Sequence, residues 1–330
     1  MAEVENHYFE EETTERHENI IETRDLSKEF DGVLAVDGVS FDVPRGSIFG
    51  FIGPSGSGKT TTIRILTGYY RPTSGEVRVL GCSPENFSRQ ERERIGYLPQ
   101  LFGLYPHLTV WENLSFAASI YGLPITRRGR LRKILEFVEL DEERGRLASR
   151  LSGGMQRRLN LAATLVHDPE LIFLDEPTTG VDPVLRRKFW DHFRQLQAEG
   201  RTLFVTTQYV SEAAYCDLVG VIDGGRLLAL DTPDMLRYRA YGGDMIDLRT
   251  TDRLEYTSLQ AISELPFVLS RILQQDNRNV RLVVNEAKKD IPALLDWARS
   301  GGLQVESIEP YLPPFDDVFV ELVKKEDEVD

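Results

Sequence analysis

The chain has 330 residues, enough for two domains or one large domain with an appendage, and 41% of them are hydrophobic, which supplies ample core material. A net charge of −14 argues against non-specific attraction to nucleic acid or to an anionic lipid surface. No stretch approaches the roughly 18 unbroken apolar residues of a membrane span, and the N-terminus has no hydrophobic signal core. The cysteines, Cys82 and Cys216, show no metal-ligand spacing, which suits a reducing cytoplasm. We therefore expect a soluble protein that reaches a membrane only through a partner.

An acidic segment opens the chain. Residues 1–19 carry seven Glu and one Arg and few apolar residues, a composition typical of a disordered tail. Short apolar runs follow, and several are nearly continuous, as expected for strands that are covered on both faces. These predicted strands lie at residues 47–53, 76–81, 94–100, 171–177 and 202–208. Helical patterns lie between them, and residues 203–217 are predicted to be a buried strand that runs into a helix.

Strands that alternate with helices indicate an α/β fold with a mainly parallel sheet. Residues 101–165 give almost no strand signal, so we predict a helical insert there between two strands of the sheet. After a hairpin at 218–231 the pattern restarts, and a small C-terminal α+β domain is expected. The predicted organisation is an acidic tail at 1–19, a main domain at 20–235 and an accessory domain at 236–330.

A glycine-rich loop follows the first of these strands, and residues 53–60 read GPSGSGKT. The strand before it and the helical pattern after it are the context that identifies a P-loop. Its glycines let backbone N–H groups point at phosphate oxygens, and the next helix presents its positive end to the same anion. Lys59 supplies a charge for the β- and γ-phosphates, and Thr60 offers a hydroxyl to Mg²⁺. The predicted nucleotide-binding residues are Gly53, Pro54, Ser55, Gly56, Ser57, Gly58, Lys59, Thr60 and Thr61.

A P-loop needs a second strand that carries an acid for Mg²⁺. The run LIFLDEP, residues 171–177, places Asp175 at a strand's carboxyl end, where ligands bind in open α/β sheets. We predict that Asp175 holds the metal directly or through water. Glu176 comes next, and a second carboxylate beside the γ-phosphate could accept a proton from the attacking water. The alternative for Glu176 is a solvated charge at the strand's end.

A second phosphate site is indicated at residues 151–165, which begin LSGGMQ. Ser152 is a good N-cap, and Gly153 and Gly154 leave the first turn of a helix free of side chains. An ordinary capped helix is the alternative. Because the chain has one P-loop but two such sites, we predict that the second serves a nucleotide held by another copy, in a symmetric head-to-tail dimer.

The order of these motifs resembles the ATP-binding subunits of ABC transporters over roughly residues 20–235. The resemblance implies a P-loop NTPase fold of ABC type, with ATP and Mg²⁺ as ligands. By position, it implies that Phe30 stacks on adenine and that Gln100 senses Mg²⁺ and the attacking water and joins the insert to the core. Loop 178–183 would act across the dimer through Asp182. Val181 stands there where leucine is common.

Gln208 departs from the family's pattern, which usually has histidine at the end of this strand. In the family that histidine donates to the γ-phosphate and helps to hold Glu176 and the water in line. Glutamine keeps a donor and an acceptor at similar reach but cannot carry a proton. We expect Gln208 to be functional if the residue only orients its neighbours, and hydrolysis to be slow if it must be charged.

Residues 104–116 and 316–323 are similar to export subunits of the daunorubicin-resistance type. This resemblance implies an ATP-hydrolysing motor at the inner face of the cell membrane, which drives a separate integral-membrane permease docked on the helical insert. The expected docking surface includes partly exposed apolar residues, namely Phe102, Leu104 and Tyr105. Packing of these side chains inside the insert is the alternative.

Two other classes of protein are alternatives to an export motor. A soluble ABC-type ATPase that acts on a ribosome or a nucleic-acid machine generally has two cassettes or a coiled-coil insertion, and this chain has one cassette and no heptad run. A P-loop kinase would not need the Ser152 helix or the pair Asp175–Glu176. The solute, the role of the C-terminal domain and the choice between homodimer and heterodimer are left open by the sequence.

Overall fold

The computed structural model of the chain describes residues 19–101 and 103–327. The predicted acidic tail, apart from Asn19, and Phe102 lie outside these described residues. Within them the strands form one sheet of six strands, one of three and one of four. The six-stranded sheet carries the candidate site. The three-stranded sheet is built from N-terminal strands and the four-stranded sheet from C-terminal strands.

The secondary-structure elements are numbered in chain order. The N-terminal part contains β1 (Asn19–Phe30), β2 (Val33–Pro44), β3 (Ile48–Ile52), α1 (Lys59–Leu66), β4 (Ser74–Val79), α2 (Arg89–Glu93) and β5 (Ile95–Leu98). The middle contains α3 (Val110–Ile120), α4 (Arg128–Phe137), α5 (Gly153–Leu165), β6 (Leu171–Asp175), α6 (Pro183–Ala198), β7 (Thr202–Thr207), β8 (Leu218–Asp223) and β9 (Arg226–Asp231). The C-terminal part contains α7 (Pro233–Tyr241), β10 (Asp244–Thr250), α8 (Tyr256–Ser263), β11 (Val268–Gln274), β12 (Asn279–Val284), α9 (Ala287–Ser300), β13 (Val305–Tyr311) and α10 (Phe315–Asp327).

The six-stranded sheet has the order β5-β6-β7-β3-β8-β9; the first five strands are parallel, and β9 pairs antiparallel with β8. β3, β6 and β7 are buried along their whole length because alternate side chains enter cores on opposite faces. In β3, Ile48 and Ile52 enter one core, while Phe49 and Phe51 enter the other. The predicted α/β fold with a parallel sheet is confirmed.

The antiparallel sheet β2-β1-β4 packs on one of these cores. Phe41 of β2 stacks on Phe49, and Phe49 stacks on Phe204 of β7, with ring centroids 5.2 and 5.1 Å apart. β1 and β2 are absent from the predicted strands, since charged residues interrupt their apolar pattern. Its strand β2 also contacts the P-loop, since Gly58 lies close to Ala35 O.

The described residues between β5 and β6 contain α3, α4 and α5 with two short 3₁₀ turns, and no strand. α3 begins with a capping box, in which Thr109 Oγ1 accepts from Glu112 N and Glu112 Oε2 accepts from Thr109 N. Apolar stripes of these helices join the core on the second face of the six-stranded sheet: Val110, Leu114, Leu131, Leu135, Leu159 and Leu161. The helical segment therefore rests directly on the sheet.

The segment after β7 differs from the sequence expectation in one respect. The predicted helix is a 3₁₀ helix, Val210–Tyr215, and not an α-helix. Its residues are too few for an α-helix of ordinary length before the chain must enter β8. The hairpin β8–β9 is confirmed, with Gly224 and Gly225 at positive φ in the turn.

The C-terminal part has a sheet of order β11-β12-β10-β13, in which every neighbouring pair is antiparallel. With α8 and α9 it forms a βαββαβ unit around its own apolar core. α10 then returns to the second face of the six-stranded sheet, because Phe315, Val318 and Leu322 form an apolar stripe that joins the core there. The last helix thus shares a core with residues before 235, and the domain boundaries given above stay predictions.

Candidate nucleotide-binding site

Four neighbouring strands of the six-stranded sheet end at one edge. Gln100 follows β5, Asp175 ends β6, Gln208 follows β7 and the P-loop follows β3. Because parallel strands share their carboxyl edge, residues that are far apart in sequence come together here. This edge is where the predicted site residues lie.

Two glycines let the P-loop lie against its neighbours. A Cβ atom on Gly53 would stand 2.0 Å from Ile222 O, and one on Gly58 would stand 2.4 Å from Ala35 O. Gly58 also has a φ of 102°, which side chains rarely adopt. The loop therefore approaches β8 and β2 so closely that a side chain at Gly53 or Gly58 would clash with their backbone.

Lys59 lies behind the loop and is 4% exposed. Its Nζ donates to Gly53 O and Pro54 O over 2.8 and 2.7 Å and stands 3.8 Å from Glu176 Oε1. Burial lowers the pKa of Lys59, and the nearby carboxylates oppose that shift. Ser57 Oγ, in the same loop, is buried without a hydrogen-bond partner among the described residues. Together these groups offer a cation and an unsatisfied hydroxyl to a phosphate.

Asp175 is 1% exposed, and its Oδ1 accepts hydrogen bonds from Thr60 Oγ1 over 3.1 Å and Thr206 Oγ1 over 2.8 Å. Burial raises the pKa of Asp175, while these two hydrogen bonds lower it. Adjacent oxygens in an octahedral Mg²⁺ shell are about 2.9 Å apart, which the Thr60–Asp175 pair nearly matches. The two residues therefore fit Mg²⁺, which takes few protein ligands when phosphate supplies the others. No group of three or more His, Cys, Asp or Glu side chains suited to a metal occurs in the described part of the chain.

Glu176 has a φ of 48°, unusual for a residue with a side chain, and its N–H donates to Thr206 O over 3.1 Å. Its Oε2 accepts from Gln100 Nε2 and from Thr179 Oγ1, each over 3.0 Å. These two donors hold the Glu176 carboxylate, whose other oxygen lies 3.8 Å from Lys59 Nζ at the P-loop. Gln100 and Glu176, proposed separately from the sequence, are direct neighbours.

Arg157 of α5 is a site residue that the sequence patterns missed. It is 5% exposed, and it donates to Gln100 O over 2.9 Å and to Thr179 O over 3.2 Å. Burial lowers its pKa, and Glu176 opposes that shift. In the sequence it is followed by Arg158, and a pair of arginines in a helix is more typical of a solvent-exposed face. The arginine ties the helix that begins at Ser152 to the loops around Glu176.

No hydrogen bond between described residues joins the Ser152 end of α5 to the P-loop of the same chain. Ser152 Oγ accepts from Met155 N over 3.3 Å, and both Ser152 and Gly153 are exposed. A Cβ atom on Gly154 would lie 2.3 Å from Leu185 Cδ2, so α6 packs closely there. Ser152 and Gly153, at the start of α5, are therefore open to solvent, whereas Gly154 is covered by α6.

Three other predicted site residues, Gln208, Phe30 and Asp182, are half-buried or exposed. The side chain of Gln208 is half-buried and makes no hydrogen bond to a described residue. Phe30 is 38% exposed, lies edge-on to Tyr70 and has Lys28 Nζ 5.0 Å from its ring centre. Asp182 is exposed and caps α6 by accepting from Val184 N and Leu185 N.

Apolar side chains are exposed at the start of the helical segment. Leu101 is 82% exposed, and Tyr105 is 50% exposed and packs edge-on against Phe116. Leu104 is partly buried against the core, and Phe102 lies outside the described residues. Among the helices of the described chain, none combines the length and apolar character needed to span a bilayer.

Known sequences that are similar to this chain belong to proteins that bind ATP. The family model described as "ABC transporter" matches residues 36–179. The probable multidrug ABC transporter ATP-binding protein YbhF of Escherichia coli is 41% identical over 235 residues, which cover 70% of this chain but only 40% of that protein. The Nod factor export ATP-binding protein I of Ralstonia nicotianae is 40% identical over 71% of this chain and 73% of its own length. The linearmycin resistance ATP-binding protein LnrL of Bacillus subtilis is 32% identical over 92% of this chain and 98% of its own length.

Solved structures give the same result. An ATP-binding subunit of an ABC transporter superposes with a TM-score of 0.61 at 28% identity and covers 68% of this chain and 93% of that one. A dimeric bacterial ABC transporter cassette superposes with a TM-score of 0.59 at 26% identity and covers 64% and 98%. The motifs at the strand edge, the fold and the similar proteins agree, and the chain belongs to the ABC transporter family, with the fold of its ATP-binding cassettes.

Proposed function

We propose that this protein is the ATP-hydrolysing motor subunit of an ABC exporter. The observation that carries the proposal is the meeting of the P-loop, Asp175, Glu176 and Gln100 at one sheet edge, with Glu176 held by Gln100 and Thr179. A phosphate cradle, a metal acid and a second carboxylate in this arrangement suit phosphoryl transfer to water. A cassette that acts on ribosomes or nucleic acid receives no comparable support.

In the proposed reaction the P-loop backbone and Lys59 bind the phosphates of ATP. Thr60 and Asp175 would hold Mg²⁺, which would supply positive charge to the phosphate oxygens. Glu176 accepts the proton of the attacking water as the oxygen–phosphorus bond to ADP breaks. Gln100 orients Glu176, and Gln208 orients the γ-phosphate and the water. Phe30, which is 38% exposed, stacks on the adenine.

The site is completed by a second copy of the chain. The exposed start of α5, with Ser152 as its cap, offers an anion site that its own P-loop does not use. In a two-fold dimer this helix end and Asp182 of one copy face the ATP on the P-loop of the other. The solved dimeric cassette of similar fold supports this assembly.

The dimer drives a membrane permease subunit that docks on residues 101–165, and the protein works at the inner face of the cell membrane. The exposed side chains of Leu101 and Tyr105 support an interface there. Export is supported by the relatives, which are named for multidrug transport, Nod factor export and linearmycin resistance.

Trapping of an ATP-bound dimer tests the proposal. Full-length Glu176→Gln should bind ATP with Mg²⁺, lose hydrolysis and shift from monomer to dimer in size-exclusion chromatography with light scattering. Lys59→Ala is the matched control and should neither bind ATP nor dimerise. A Glu176→Gln protein that hydrolyses ATP at the wild-type rate, or binds ATP as a monomer, would contradict the proposal.

A further inference from the structure

Glu212 is a buried charge that the proposed reaction does not use. It lies in the 3₁₀ helix four residues after Gln208 and is 1% exposed. Its Oε1 accepts a hydrogen bond from Thr178 Oγ1 over 2.7 Å, whereas its Oε2 has no hydrogen-bond partner among the described residues. An apolar side chain would avoid the desolvation of such a carboxylate, so stability alone does not account for it.

The surroundings of Glu212 connect two parts of the nucleotide site. Thr178, its hydrogen-bond partner, is fully buried and directly precedes Thr179, whose hydroxyl donates to Glu176. A displacement of Thr178 would therefore move a donor that holds the Glu176 carboxylate. Arg157 also donates to Thr179 O, so two neighbouring residues of the loop are each held by a buried ionisable side chain.

Arg186 of α6 extends the connection to the Gln208 segment. Its Nε is 3.6 Å from Glu212 Oε1, and its Nη2 donates to Val181 O, next to Asp182. Its guanidinium lies 4.0 Å from the ring centre of Tyr209, the residue after Gln208. One small cluster thus contacts the loop between Glu176 and Asp182 and also the chain beside Gln208.

We propose that Glu212 is a positioning residue for ATP hydrolysis, which acts through Thr178 and Arg186 to keep loop 178–182 and the segment after Gln208 in register. The inference rests on the proposed ATPase function. Its physical basis is that the attacking water is held between Glu176 and Gln208, two groups on different strands. A small relative shift between those groups slows the reaction without affecting the P-loop that binds ATP.

The experiment compares Glu212→Ala, Thr178→Val and the double variant in the full-length protein. Each single variant should lower kcat at least about tenfold, while the Kd for a fluorescent ATP analogue stays within about twofold of wild type. The double variant should be no slower than Glu212→Ala, because Thr178→Val removes a contact that Glu212→Ala has already removed. Glu212→Gln retains a carbonyl that accepts from Thr178 and should restore most of kcat.

Thr23→Val is the matched control for loss of a buried hydroxyl. Thr23 of β1 is fully buried and exchanges hydrogen bonds with the backbone of Phe41, and it makes no hydrogen bond to a residue of the site. It should lower the melting temperature and leave kcat unchanged. Wild-type kcat in Thr178→Val, or in a folded Glu212→Ala, overturns the positioning role alone. A wild-type protein that binds ATP and never hydrolyses it overturns the proposed function and this inference together.

Discussion

The hydroxyl of Thr60 donates a hydrogen bond to Asp175 Oδ1 over 3.1 Å. This contact joins the first turn of α1 to the end of β6, two elements that are separated by 115 positions in the chain. It places a hydroxyl and a carboxylate oxygen side by side at the P-loop. Burial of Asp175 raises its pKa, and the hydrogen bonds from Thr206 and Thr60 oppose that shift.

Asp175→Asn should stabilise the nucleotide-free protein at neutral pH. Burial raises the folded-state pKa of Asp175 above the ordinary value of an aspartate, so its ionisation opposes folding at pH 7. That cost is absent below the unfolded-state pKa and is complete once the pH has risen through the folded-state pKa. The stability gain of Asp175→Asn should therefore be largest near pH 7 and shrink as the pH falls, as measured by thermal unfolding without Mg²⁺.

The Mg²⁺ dependence of ATP hydrolysis is a second measurement on this variant, and it tests metal binding separately from stability. Asp175→Asn should need a higher Mg²⁺ concentration for half-maximal ATPase activity, because an amide is a weaker ligand for a hard cation. An unchanged Mg²⁺ dependence would argue against metal binding at Asp175.

Gln208→Ala should reduce ATP turnover, and Gln208→His should not abolish it. The half-buried amide has no hydrogen bond to a described residue, so it is available to orient a phosphate oxygen and a water. Loss of one oriented donor should lower kcat by roughly 100- to 1,000-fold. Steady-state kinetics of both variants checks this, with nucleotide affinity measured separately. Wild-type turnover in Gln208→Ala would show that the residue has no part in the reaction.

The parallel sheet and the P-loop were predictable because each has a strong local signature. Continuous apolar runs indicate buried strands, and the sequence from Gly53 to Thr60 has few other uses in such a context. Asp175 was predictable for the same reason, since the end of a buried strand has a known place in the fold.

The network around these residues was not predictable, because it depends on tertiary contacts. Arg157 and Glu212 look like solvent-facing charges in sequence, and only the packing of α5, α6 and the 3₁₀ helix against the loops buries them. Likewise, the sequence of α10 does not indicate which core its apolar residues join. In the structure, Phe315 and Val318 join the core on the second face of the six-stranded sheet.

Val318→Ala should destabilise the whole protein and not only its C-terminal part. Val318 is 1% exposed and lines a small void with Val210 and Ala213 of the 3₁₀ helix after Gln208. Removal of its two methyl groups should cost about 1.5–3 kcal/mol of unfolding free energy. Val320→Ala, at a 49% exposed position of the same helix, is the control and should have little effect. Denaturant unfolding monitored by circular dichroism would decide, and equal losses in the two variants would contradict the packing described for α10.

Ser152→Ala should slow ATP hydrolysis by more than its effect on stability explains. Ser152 and Thr232 are both exposed N-caps whose side-chain oxygens accept from the backbone three residues later, over 3.3 and 3.4 Å. Alanine at either cap should cost about 0.5–2 kcal/mol of stability. In the proposed dimer only Ser152 meets the partner's ATP, so Ser152→Ala should also weaken ATP-dependent dimerisation of Glu176→Gln, whereas Thr232→Ala should not. Chromatography of the two double variants with ATP measures this difference, and equal dimerisation would mean that the Ser152 hydroxyl does not contact nucleotide across the interface.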